Sequence, residues 1–376
     1  MTTSSRKLDH IRICLEKHIE SSHDYRPFED ITLVHKAMPE IDEEKIDTGC
    51  RFLGRRMAAP LIINAITGGH PQVRDININL AAAAQEMGVG LGVGSQRAAL
   101  EDPDQEDTFS AVRDAAPDIP IIGNIGAVQL KRQGPEVIDR LAEMIDADAI
   151  AVHLNFLQEI IQPEGDRDAA GALDAIRSAA SGKTPIIVKE TGTGISGEVA
   201  LMLMNAGIRI IDVSGTGGTS FSAVEAYRAE EHGDCQSHEM GRLFWDWGVP
   251  TPVCIVECAA AVEAAAATGA GAGGTEIIAS GGVRSGLDVA RSIALGARLA
   301  GTALPMLSPA TQGQDEVAKA LKDFIRGLRI SMFLTGCRTL SDLGSSRVII
   351  TGRVREILEQ RGFNTKKFSI YSEMAR

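Results

Sequence analysis

The chain has 376 residues and is 44% hydrophobic, material enough for one large core or two ordinary ones. Its 50 acidic residues against 38 basic ones leave a formal net charge of −12, which argues against nucleic acid or an anionic membrane as a partner, so any bound anion must be met by a few placed cations. The 39 glycines and 4% aromatic content suit an α/β fold with many tight turns better than an aromatic-rich β-sandwich.

Residues 1–59 read as an N-terminal extension. It opens with an amphipathic helix in "MTTSSRKLDHIRICLEKHIE" and continues through "DITLVHKAMPEID". No signal-peptide apolar core stands at the start and no apolar run approaches a membrane span, so a cytoplasmic, reduced protein is expected. The six cysteines are scattered without a CxxC pair. Cys254 and Cys258 lie four apart in an Ala-rich helical run, which reads as packing.

Eight apolar runs follow, at 60–66, 88–94, 119–125, 148–154, 184–190, 208–214, 275–280 and 297–303. Helical stretches such as "INLAAAAQEM", "EVIDRLAEMI" and "GLDVARSIAL" separate them. Strands joined by helical crossovers imply a parallel sheet. Eight units predict an α/β fold of the (β/α)8 TIM-barrel type with an N-terminal helical extension. An open doubly wound sheet would place GxGxxG after its first strand, and "AITGGHP" is not that. The barrel is expected over 60–350, with the long helical stripe in "QDEVAKALKDFIRGLRISMFLTG" as its last helix, and 351–376 as an appendage.

Barrel chemistry sits at the C-terminal ends of the strands. Those ends carry Thr67, Ser95-Gln96-Arg97, Asn124, His153-Leu154-Asn155, Lys189-Glu190, Ser214 to Thr219, Gly281-Gly282-Val283-Arg284 and Thr302-Ala303. In "SGGVRSGLDVARSIALGARLAGTA" paired glycines precede a helix start near Gly286, so bared N–H groups and a helix dipole can hold a phosphate. Lys189 ends the apolar run "PIIVKE". It needs an anionic or polar partner, either a structural carboxylate or the carbonyl edge of a flavin. In "HLNFLQE", 153–159, period-2 alternation points His153 and Asn155 to one side, with Gln158 and Glu159 following on a loop.

The sequence resembles the type 2 isopentenyl-diphosphate isomerases, flavin-dependent barrel enzymes. The resemblance runs along almost the whole chain, through "RKLDHI", "LVHKAMPEID", "NAITGG", "GVGSQRAALE", "AVHLNFLQEIIQPEGD", "VKETGTGIS", "DVSGTGGTSFSAVE" and "SGGVRSGLDVARSIALGA". It implies FMN contacts at Ala65, Ile66, Thr67, Ser95, Asn124, Lys189, Ser214 and Thr219. The FMN phosphate would sit on Gly281, Gly282, Val283, Arg284, Thr302 and Ala303. The substrate diphosphate would meet Arg6, Lys7, Ser95, Gln96, Arg97, His153 and Asn155, with Gln158 beside the isoprenyl unit and Glu159 on Mg²⁺. Phe221 stands where some members carry Trp.

The implied reaction moves a double bond, adding a proton at one terminus of the allylic system and removing another from C2. No pair of carboxylates on adjacent strands offers itself, and the Gln158 amide does not titrate usefully. Reduced FMN is therefore expected to do the proton work without net redox. Lys189 would hold the anionic ring, and Gln158 would position substrate or relay a proton. The candidate catalytic residues are Gln158, Lys189, His153 and Glu225; Glu225 and His10 could serve a relay or simply order the structure. NADPH or NADH is needed only to reduce the flavin.

Three other readings stay open. An FMN-dependent 2-hydroxy acid oxidase shares GGVR and the strand-five lysine but wants a histidine base near strand seven, and "SGTGGTSF" has none. An IMP-dehydrogenase-like barrel needs a cysteine in a Gly-rich loop. A non-enzymatic flavin-binding scaffold would have no use for Arg6, Lys7, Arg97 and Glu159. The family resemblance also implies a homo-oligomer, tetramer or octamer. Mobile termini are seldom ordered on their own, so the N-terminal segment with Arg6 and Lys7 is expected to close on binding.

Overall fold

A computed structural model of the chain describes residues 3–268 and 274–370, with side chains from residue 7 onward. Eight short strands form a closed, all-parallel barrel: β1 (Leu61–Ile63), β2 (Gly90–Gly92), β3 (Ile121–Gly126), β4 (Ala149–His153), β5 (Ile186–Lys189), β6 (Ile210–Asp212), β7 (Glu276–Ala279) and β8 (Leu299–Thr302). Each strand neighbours the next in chain order, and β8 closes on β1. Every expected strand is present, mostly shorter than its apolar run, because the upper ends peel away from the ladder into loops. Strands covered on both faces read as continuous apolar runs rather than alternating ones.

Side chains alternate across each strand. Outward residues such as Leu61, Ile63, Val152, Val188 and Ile211 pack with the helices, while Ile62, Ile122, Ala149, Ala151, Ile187, Ile210, Ile278 and Leu299 fill the interior. The hairpin Cys50–Phe52 and Arg55–Met57 adds Phe52 and Met57 to that interior cluster. One inward step higher, the composition changes. The next inward positions are Asn64, Asn124, His153, Lys189, Asp212 and Ser280, one polar residue on or just past each of six strands.

Helix α1 (Thr3–Glu16) of the N-terminal extension lies against the barrel mouth, where Ile13 and Ile19 pack with Ala223, Val224, Trp245 and Leu304. Strand Ile31–Leu33 pairs antiparallel with Val348–Ile350, tying the two ends of the chain together. The helix Gln314–Thr335 packs on the helices Arg74–Met87 and Gly286–Ala294. Cys254 and Cys258 are buried in the helix Thr251–Ala267. Among the described residues no helix is long and apolar enough to cross a membrane.

Candidate active site

The polar layer is the floor of a cavity of about 260 Å³ at the barrel mouth. Lys189 on β5 is paired in register with His153 on β4 and Asp212 on β6. Its Nζ donates to the Glu190 carbonyl at 3.1 Å. Burial pushes the Lys189 ammonium below its ordinary value, while Asp212 and Glu190 pull it back up. Asn124 Nδ2 donates to Val93 O at 3.1 Å, which leaves its Oδ1 facing His153 Nδ1 at 2.9 Å. The proton therefore sits on His153 Nδ1, and Nε2 is left as an acceptor. Burial, with Lys189 and Lys7 close by, lowers the His153 pKa to about 3.

On one side of this floor stand the groups suited to a diphosphate. Lys7 reaches down from α1 to the carbonyls of Gly68 and Ser95, with its Nζ 5.4 Å from the Phe109 ring centroid. Arg97 donates to Glu101 at 2.7 Å and lies 3.5 Å from Asp166. Asn155 does not continue the strand alternation. It adopts a left-handed conformation, φ 52°, and starts a short helix α2 (Phe156–Ile161), so Gln158 and Glu159 ride on a helix rather than on the expected loop. Asparagine and aspartate tolerate this conformation because their short polar side chains bond locally. Here Asn155 Nδ2 donates to Gln158 Oε1 at 2.8 Å, and its Oδ1 accepts from Thr191 at 2.6 Å. Glu159 Oε2 accepts from the Asp166 N–H at 2.7 Å. No group of three or more potential metal-ligating side chains occurs among the described residues. Glu159 is a lone carboxylate at the cavity, and a hard ion such as Mg²⁺ can use one carboxylate completed by anionic oxygens and water.

On the other side, Ala65, Ile66, Thr67, Ser95, Asn124, Ser214 and Thr219 line the cavity, as do Gly281, Gly282, Arg284, Thr302 and Ala303. Gly281 and Gly282 take φ of 91° and 77°, and the turn packs directly on the backbone of Gly215 to Gly218. Ser285 caps the following helix (Gly286–Ala294). Arg284 Nε donates to Glu20 at 2.8 Å. Its Nη2 lies 2.7 Å from the same oxygen but off the hydrogen-bond line, leaving a buried donor without a hydrogen bond. A cationic donor beside a glycine turn and a helix N-terminus fits the phosphate end of FMN.

Some expected residues stand elsewhere. Gln96 is fully buried and faces away from the cavity: its Nε2 donates to Leu141 O and its Oε1 accepts from the Asn124 N–H, so it braces the floor from behind. Val283 is buried, and its carbonyl accepts from Thr302 Oγ1. The side chain of Arg6 lies outside the described residues. Glu225 sits behind Gln158 on helix α3 (Phe221–Glu231), 2% exposed. Its Oε1 accepts from Gln158 Nε2 at 2.6 Å and from His10 Nε2 at 2.9 Å, and its Oε2 accepts from Arg228 at 3.0 Å. Burial pushes Glu225 upward, but His10, Gln158 and Arg228 outweigh it and bring the value down to about 2. Phe221 lines the cavity, edge-on to His10.

The reading of strand ends passed over Asn64, Asp212 and Ser280, which join across the floor: Ser280 Oγ and Asn64 Nδ2 both donate to the Asp212 carboxylate. The signal was there. Each lies two residues beyond an inward isoleucine, at Ile62, Ile210 and Ile278.

A family model described as FMN-dependent dehydrogenase matches residues 132–350. A protein of Methanothrix thermoacetophila named isopentenyl-diphosphate delta-isomerase is 62% identical over 98% of this chain and 99% of its own. Its namesake from Methanosarcina mazei is 50% identical over 98% of each chain, and that from Methanococcoides burtonii 49% over the whole of both. Among solved structures, a mandelate oxidase variant with a monooxide FMN adduct shares the fold, with a TM-score of 0.60 and 19% identity over 93% of each chain.

Proposed function

We propose the reaction from the family: the chain belongs to the isopentenyl-diphosphate delta-isomerases and is an isomerase, and it converts isopentenyl diphosphate to dimethylallyl diphosphate, a 1,3-allylic rearrangement in isoprenoid biosynthesis. The supporting observation is a single cavity in which Lys7, Arg97, His153 and Glu159 face Lys189 and the Gly281-Gly282 turn. Cationic and donor groups thus stand on two sides of one barrel mouth. The likeness to oxidases is one of fold, so 2-hydroxy acid oxidation is set aside.

Reduced FMN, once bound, supplies acid–base chemistry for an unactivated alkene. The chain's part is to hold and orient. Gly281, Gly282, Arg284, Thr302 and Ala303 would take the phosphate, and Asn124 and Thr67 the hydrogen-bonding edge of the ring. Lys189 would present its cation to the ring from the floor. Lys7, Arg97 and His153 would fix the diphosphate, with Mg²⁺ on Glu159 neutralising it further. Gln158, its amide held at both ends, would set the prenyl unit against the ring face. Phe221 would wall that unit from water.

NADPH or NADH enters this reading only to reduce the flavin, and a cytoplasmic tetramer or octamer is part of it, open to light scattering. The deciding experiment supplies FMN-loaded protein with isopentenyl diphosphate, Mg²⁺ and sub-stoichiometric NADPH, and follows the product by NMR. Many turnovers per NADPH are expected. One NADPH consumed per product would rule the isomerase reading out.

A further inference from the structure

Asp212 is a carboxylate inside the barrel, 3% exposed and directly above an interior layer that is wholly apolar. A buried charge persists only with a counter-charge and hydrogen bonds. Its two oxygens accept from Ser280 Oγ and from Asn64 Nδ2, the latter at 3.0 Å. Burial raises its pKa, and Lys189 with the donors on both oxygens works the other way, toward the ionised form. The cation beside it in register is Lys189, and the two form no direct ion pair. Both line a small cavity of about 20 Å³ whose other polar walls are Asn64 and Asn124 and whose remaining lining is apolar, Ile62, Ile122, Ile187 and Ile278 among it. That is space for one water, with these four polar side chains as its partners. The other carboxylate near Lys189, on Glu190, accepts from the N–H groups of Thr191 and Thr193 at 2.6 and 2.7 Å through Oε2 and adds its charge to that of Asp212.

We infer that Asp212 is a positioning residue for Lys189: through one bridging water it keeps the ammonium charged and aimed into the cavity. The inference rests on the proposed seat of FMN over Lys189. Without Asp212, burial favours the neutral amine, and the floor loses the cation that would stabilise an anionic reduced flavin.

Two opposite effects make this testable by redox titration of the FMN-loaded protein. If Lys189 stays charged in Asp212→Asn, removing a negative charge makes the flavin easier to reduce and raises its midpoint potential. If Asp212 works through Lys189, the cation is lost and the potential falls. The expected result is a lower potential in Asp212→Asn, a lower one in Lys189→Met, and little further change in the double variant. A raised potential in Asp212→Asn beside a lowered one in Lys189→Met overturns the role of Asp212 alone. No change in Lys189→Met removes the flavin from Lys189 and takes both readings with it. Should Asp212→Asn not fold, Ser280→Ala strips one donor from the carboxylate and is expected to lower the potential; an unchanged or raised value there counts against the inference.

Discussion

Gln158 Nε2 donates to Glu225 Oε1 at 2.6 Å, while Gln158 Oε1 accepts from Asn155. The amide can neither flip nor turn without breaking one of these bonds. A carboxylate from a different crossover therefore sets the orientation of the most buried side chain in "HLNFLQE".

Glu225→Gln should loosen that amide without touching the diphosphate groups. A hydrogen bond to a charged group contributes roughly 1.5–3 kcal/mol, so kcat is expected to drop about 10- to 100-fold with KM nearly constant. A rise in KM with kcat intact would show that Glu225 serves binding alone.

His153 should take up a proton when substrate binds. In the free protein it is neutral, with Nε2 left as an acceptor, and burial together with Lys189 and Lys7 holds its pKa near 3. An arriving diphosphate offsets those cations and favours imidazolium. Calorimetry near pH 6 in two buffers of different ionisation enthalpy should give different binding heats, and His153→Gln should abolish the difference. Identical heats for the unaltered protein would contradict this.

The same residues make the free protein acid-sensitive. The folded-state pKa of His153 is about 3 against an ordinary value of 6.5, so below about pH 6.5 the unfolded chain binds a proton that the folded one refuses. Stability falls from there toward pH 3. Glu225, lowered from 4.5 to about 2, contributes fully above 4.5, and its share is lost as pH falls through 2. Urea midpoints at about pH 7 and 5 should differ less in His153→Gln than in the parent.

Arg228, 5% exposed, bonds Glu225 on one side and Glu164 on the other. Arg228→Gln leaves a buried carboxylate without its cation, a loss of about 3–5 kcal/mol. Glu164 is 39% exposed, and Glu164→Gln should cost less than about 1 kcal/mol. Denaturant unfolding of the two variants checks the contrast. Equal losses would refute the buried-pair account.

Gly281→Ala would place a Cβ 2.1 Å from the Gly215 carbonyl, at φ 91°. The loop after β6 and the turn after β7 could then no longer touch, and FMN retained through gel filtration should fall more than about tenfold if the phosphate sits there. Gly274 also has positive φ, 93°, but open space around it. Gly274→Ala is the control, expected to keep its flavin.

The eight strands and their helical crossovers were legible because burial on both faces writes itself into local sequence as apolar runs. So were most cavity-lining positions, since a barrel presents the residues just past each run. The short helix behind His153 was not legible, because it depends on the left-handed turn at Asn155. Nor was the inward turn of Gln96, which follows from a bond to the Asn124 backbone. Pairings such as His10 with Glu225, 215 residues apart, and Arg284 with Glu20, 264 apart, carry no periodicity at all.

Apolar patterning is a property of neighbours along the chain, and by itself it determined the architecture and the heights at which polar groups emerge. Which of those groups meet was decided only when β8 closed on β1. Closure brings six strands to one level, and burial there makes each charge seek whatever partner the ring supplies: Asp212 gains Asn64, just past β1, and Ser280, just past β7, as hydrogen-bond donors, with Lys189 beside it in register on β5.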